Sequence, residues 1–203
     1  MRPLRWAWCL PATACLFFAA CVDTDKPLTD AEEATPDTRL LGLWKLPDGD
    51  QTVEFYHVGK AGEPFADSVY RTVGVGFDAD GILDRPDGNL DLLVVPTKLG
   101  ENRYISIGLV GRDKFQAVDA HGLTGAKIDN YMLMKYKIEN DKITLWTTNP
   151  KAKIKAVESG KVKDAVKDND ARLTDTRDNL RRFVTENDAE LFSDDPVVMT
   201  RME

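Results

Sequence analysis

From Arg39 onward, apolar and polar residues alternate in short runs, the period of strands that bury one face. LLGLWKL (40–46), TVEFYHV (52–58), VYRTVGVGF (69–77), LDLLVVPTK (90–98), RYISIGLV (103–110), YMLMKYKI (131–138) and KITLWTT (142–147) each read as a strand. Turn formers separate them, among them Pro47-Asp48-Gly49-Asp50, Asp78-Ala79-Asp80-Gly81 and Glu139-Asn140-Asp141, the last a tight hairpin connection. Short links favour antiparallel neighbours. The expected fold is therefore mainly β, an antiparallel up-and-down barrel or a strongly curved sheet. Gly74 and Gly76 fall on one face of their strand, which suits a sharp bend or a close backbone approach.

Past Thr147 the period changes. Asn149-Pro150 is a helix start and Gly160 a helix stop, so KAKIKAVES between them predicts a short helix. LTDTRDNLRRFVTEN offers Thr174 or Thr176 as N-cap. Leu180, Phe183 and Val184 then sit at i, i+3, i+4, the apolar stripe of a C-terminal α-helix. PVVMTRM (196–202) predicts a closing strand, with Pro196 at its start where a missing N–H matters least.

The N-terminus follows neither period. Residues 1–20, MRPLRWAWCLPATACLFFAA, place Arg2 and Arg5 before an apolar run that ends in small residues. That run is about 15 residues, short of the ~20 a spanning helix needs, and has the layout of a secretory signal peptide. Residues 22–38, VDTDKPLTDAEEATPDT, are acidic, carry Pro27 and Pro36, and hold almost no large apolar residue. They predict a flexible tether. The expected organisation is a signal peptide over 1–20, a modified Cys with tether over 21–38, and one β-rich domain over 39–203.

Composition narrows the classes. The chain has 203 residues, 27 Lys+Arg and 34 Asp+Glu, a net charge of −7. Without residues 1–20 it has 25 basic and 34 acidic residues, so −9. That balance argues against nucleic acid as a partner, which needs clustered Lys and Arg. The three cysteines, Cys9, Cys15 and Cys21, all precede Val22. A disulfide-stapled fold is therefore not expected, and the domain must hold by burial.

Phe18-Ala19-Ala20-Cys21 resembles the lipobox of bacterial lipoproteins, in which the Cys sulfur receives a diacylglyceryl group and a peptidase cuts before it. Phe18 departs from the usual aliphatic residue. The resemblance implies lipid attachment at Cys21 and the membrane as a partner through that lipid, two or three chains anchoring stably. Val22, rather than Asp, follows the Cys. In enteric-type bacteria this implies the outer membrane, with the domain in the periplasm.

Two further resemblances concern the domain. Gly42-x-Trp44 resembles the signature of lipocalins and related calycin barrels. There the Trp closes one end of the barrel beneath a late Arg, a part that falls to Arg201 here. Leu173-Thr174, Leu180 and Phe183 resemble bacterial lipoproteins whose strand meander ends in LT-x-x-T/S-x-x-L-x-x-F, a likeness that brings no activity.

Candidate chemistry is sparse. Asp78, Asp80, Asp84, Asp87 and Asp91 crowd one loop, but its spacing fails the EF-hand pattern, and Asp-Gly pairs are the ordinary residues of turns. Structural turns are the reading taken; a Ca²⁺ site on Asp78, Asp80 and Asp84 is the alternative, and no metal or cofactor is expected. His57 and His121 are the two histidines, without short ligand spacing. No GxSxG, HExxH, P-loop or CxxC occurs. In TVEFYHV, His57 shares a face with Val53 and Phe55, a face read as inward. Met132, Met134, Tyr136 and Ile138 share a strand face, as core or as an adaptable apolar wall. The candidate pocket is therefore Trp44, Phe55, His57, Met132, Met134 and Tyr136. Lys151, Lys153, Lys155, Lys161, Lys163 and Lys167 form the basic cluster, read chiefly as a solvated face.

The expected function is a non-catalytic, lipid-anchored envelope protein that binds an apolar small molecule or serves envelope maintenance. The alternative is a protein-interaction or assembly accessory with a filled core. An envelope hydrolase is the third reading.

Overall fold

A computed structural model describes residues 24–47, 52–61, 67–78, 90–109, 131–167 and 170–203. The signal peptide, Cys21, Asp80, Asp84, Asp87 and His121 lie outside them. The strands are β1 (Gly42–Lys45), β2 (Thr52–Lys60), β3 (Tyr70–Asp78), β4 (Leu90–Leu99), β5 (Asn102–Leu109), β6 (Tyr131–Glu139), β7 (Lys142–Thr147), β8 (Asp164–Lys167), β9 (Asp170–Leu173) and β10 (Val197–Met202). The helices are α1 (Pro150–Glu158), α2 (Arg177–Glu186) and α3 (Asp188–Leu191).

Strands β1 to β7 run as an antiparallel meander, and β10 closes it by pairing with both β7 and β1. The result is a closed eight-stranded barrel, in which every strand has a neighbour on both sides. The barrel reading and the closing strand both hold. Asn140, with φ of +51°, makes the β6–β7 turn in the left-handed conformation that Asn tolerates. One pole of the barrel carries that turn, the β4–β5 turn at Gly100 and the start of β1. The other carries the start of β6 and the end of β7.

Two cores result. Inside the barrel, Trp44, Tyr56, Leu92, Ile105, Met134 and their neighbours pack together. Outside, a helical layer covers the wall of β5 and β6, burying Tyr104 and Leu133 against Leu173, Leu180, Phe183, Val184 and Phe192. Both faces of β6 are thus apolar at its start, where Tyr131, Met132, Leu133 and Met134 are all buried. Helix α2 starts where Thr176 accepts the Asn179 N–H at 3.3 Å, and α1 where Asn149 accepts the Lys151 N–H at 3.0 Å. Gly160 follows α1 with φ of +70°. The β8–β9 hairpin and short α3 were not anticipated.

The tether expectation is corrected. Residues 24–37 form a strap docked along the outside of the barrel, with Thr24, Leu28, Thr29, Ala34 and Asp37 buried. Thr24 exchanges both backbone hydrogen bonds with Tyr131, at 3.0 and 2.8 Å, and Asp25 N–H reaches Leu173 O at 3.3 Å. Leu28 N–H donates to Ser106 Oγ at 3.1 Å and Thr35 N–H to Pro96 O at 3.0 Å. Two of its acidic residues pair with α2: Arg177 with Asp30 at 2.5 Å and Arg181 with Glu33 at 3.1 Å. The segment lacks a core of its own and borrows the barrel wall and α2. Pro96 lies past the last β3–β4 pair, at Val94, where a strand proline costs least.

Candidate functional site

The barrel interior holds a cavity of about 110 Å³. Leu40 and Trp44 form its floor; Leu92, Val94, Ile105 and Met134 stand in its walls. Trp44 is 2% exposed and its indole N–H donates to Leu40 O at 2.8 Å, within the 3-10 turn Thr38–Leu40 that leads into β1. Opposite it in register, Arg201 lays its guanidinium 4.2 Å from the ring centroid. The same guanidinium donates to Leu41 O and Arg39 O, tying β10 to the chain entering β1. Gly42 fits this arrangement for two reasons. Its φ is +131°, and a Cβ there would stand 2.5 Å from Arg201 Nη1.

The inward face of β2 is the reverse of the one expected. Glu54, Tyr56 and Val58 line the cavity; His57 is exposed and Phe55 stacks edge-on against Phe77 at 6.3 Å, outside the lining. Both residues leave the pocket assignment. Pairing sets this parity: Tyr56 faces Gly74 and Glu54 faces Gly76, so two residues without side chains stand opposite the two largest inward groups of β2. The carboxylate inside an apolar barrel is satisfied in part by Tyr56, whose hydroxyl donates to Glu54 Oε2 at 2.5 Å. A Glu at an inward position is the signal that alternation alone reads as solvent-facing.

Of the other expected pocket residues, Trp44 and Met134 line the cavity. Met132 and Tyr136 are buried in the same core but are not among the lining residues. The Tyr136 hydroxyl is spent elsewhere, donating to Asp37 Oδ2 at 3.0 Å. Asp37 ends the strap and organises the Trp44 pole. Arg39 grips both carboxylate oxygens at 2.8 Å, Arg103 stands 3.3 Å away, and Asp37 N–H donates to Tyr70 Oη at 2.8 Å. Burial alone would raise the Asp37 pKa. The hydrogen bonds from Arg39 and Tyr136 and the charges of Arg103 and Arg39 outweigh it and hold the carboxyl below its ordinary range. Burial, then the Asp37 charge, pushes Tyr136 up.

Asp78 ends β3, and Asp80 and Asp84 lie outside the described residues. Among the described residues no group of three His, Cys, Asp or Glu is placed to hold a metal ion. The lysine cluster is not one face: Lys151, Lys155, Lys161 and Lys163 are exposed, whereas Lys153 is fully buried. A second concavity of about 680 Å³ lies on the outer wall, where Arg39, Arg103 and Lys137 alternate with Glu101, Glu139 and Asp194. Charges so mixed give it no field of one sign. No described helix is long and apolar enough to cross a membrane. Comparisons of the chain with protein-family models, with curated proteins and with solved structures find no match.

Proposed function

We propose that this chain is a lipid-anchored envelope protein, acylated at Cys21 and held at the outer membrane with its barrel in the periplasm. Its role in this reading is non-catalytic: it binds a small apolar molecule inside the barrel or serves envelope maintenance. The observation that carries the binding role is the cavity itself, a space inside the barrel lined mostly by apolar side chains, with Glu54 and Thr72 among them, and floored by Trp44. The Trp44–Arg201 stack agrees with the likeness to lipocalins and calycins suggested by Gly42-x-Trp44.

Size limits the ligand. A cavity of about 110 Å³ is smaller than the roughly 150 Å³ that accepts benzene. The class is therefore a molecule smaller than benzene or a short stretch of alkyl chain, not a drug-sized molecule, which needs about 300 Å³ or more. Native mass spectrometry of the protein extracted from its own host tests this. A reproducible bound mass, lost in a Met134→Trp variant that fills the space, is the expected result. Bare protein alone sinks the binding role.

The small cavity also favours a second reading, a protein-interaction accessory with an essentially filled core. Leu43 and Met202, register partners on β1 and β10, are the two most exposed large apolar residues described, at 37% and 39%. In-cell crosslinking with a Leu43→Lys, Met202→Lys pair discriminates. An unchanged set of partners removes that face from consideration.

A further inference from the structure

A long tether would leave the orientation of the barrel free, and the structure replaces most of that tether with a docked strap. Thr24 is paired to Tyr131 on β6 and to Leu173 on β9 and is 1% exposed. Between Cys21 and Thr24 there are three residue steps, a reach of at most about 11 Å. We infer that the mature body sits directly on the lipid surface, with the pole that carries Thr24 toward the bilayer and the Trp44–Arg201 pole away from it. The inference rests on acylation at Cys21 as proposed above.

The barrel sets the distance between the two poles. Strand β6 has nine residues and starts beside Thr24. At about 3.3 Å per residue and a tilt of about 40°, it carries the chain roughly 23 Å along the barrel axis. The turns at Glu101 and Asp141 stand at the far end of that rise. Lys163, which is exposed and directly precedes Asp164, the register partner of Leu173, marks that end of the body; Asp175 stands beside it, accepting its backbone N–H at 3.0 Å.

Orientation is measurable because the sequence has three cysteines, two of them within the expected signal peptide. Once Cys21 is acylated, an introduced thiol is the one reactive position. The full chain, processed in cells, is reconstituted into vesicles of phosphatidylethanolamine and phosphatidylglycerol bearing headgroup quenchers. Single fluorophores are placed at Lys163→Cys or Lys26→Cys near the anchor, and at Glu101→Cys or Asp141→Cys at the far pole. Mass spectrometry of the N-terminal peptide is run on every sample. The expected result is several-fold stronger quenching at the near positions. That contrast should collapse when 20 Gly/Ser residues are inserted between Asp23 and Thr24, whose reach is about 25 Å. Equal quenching at both poles in protein whose Cys21 carries lipid overturns the seating while leaving the anchor intact. A Cys21 without lipid overturns the anchor reading and the seating with it.

Discussion

Replacing Arg201 by Ala removes the cap of the barrel floor, and its cost follows from three contacts. The guanidinium lies 4.2 Å from the centroid of a ring that is 2% exposed, a cation–π contact of about 1–2 kcal/mol when so shielded. It also donates to two backbone carbonyls, Leu41 O in a part-buried setting and Arg39 O in an exposed one. Charge-assisted bonds of this kind contribute about 1.5 kcal/mol where shielded and less in water. The sum for Arg201→Ala is roughly 3–4 kcal/mol of lost stability, or about 6–16 °C in Tm for a domain of this size. Urea unfolding of the chain lacking residues 1–21, followed by tryptophan fluorescence, measures it as a lower midpoint at constant slope. Arg201→Lys keeps the charge but not the planar fork that spans two carbonyls over a ring, so it should recover only about half of the loss. An Arg201→Ala midpoint within about 0.5 kcal/mol of the parent, or a Lys variant equal to Arg, would show that the stack does not hold the barrel shut.

Three other outcomes test the rest of the structure. Gly42→Ala meets both a φ of +131° and Arg201 Nη1 at 2.5 Å, so it should cost about 1–3 kcal/mol. Combined with Arg201→Ala, it should cost less than the sum of the two, and strict additivity in the same urea assay would remove the clash from the explanation. Leu28→Ala, at a side chain with no exposure, should cost about 2–4 kcal/mol by calorimetry; a change below 0.5 kcal/mol would return residues 24–37 to a free tether. Asp37 has a folded pKa below its unfolded value, so its contribution is fully present above about pH 4 and fades as pH falls through the folded pKa. Asp37→Asn should therefore be less stable than the parent at neutral pH and show a flatter decline in the acid range, and parallel stability curves would contradict that linkage.

The strands were legible because most of them obey one period and end at turn residues. Lys142–Thr147 matches its sequence boundary, and the other barrel strands differ from theirs by one or two residues at an end. Helix α2 was legible from Leu180, Phe183 and Val184, all of which are buried. The facing of β2 was not. Val53, Phe55 and His57 alternate with Glu54, Tyr56 and Val58, and hydrophobicity favours the first set. The second set wins because Trp44 pairs with Tyr56 across β1 and β2, and because Gly74 and Gly76 leave space for Tyr56 and Glu54. Each of those facts belongs to a neighbouring strand, so no single run of sequence contains it.

The strap shows the same limit from the opposite direction. Its composition is that of a disordered segment, and in isolation it has one large apolar side chain, Leu28, to bury. What orders it lies about 150 residues away: Arg177 donates to Pro27 O at 3.2 Å and Arg181 to Leu28 O at 2.7 Å, and the same two arginines hold Asp30 and Glu33. Contacts at such separation form late, because the chain between them must first be folded. The strap's contacts are made with β6 and α2, so they cannot form before those elements do.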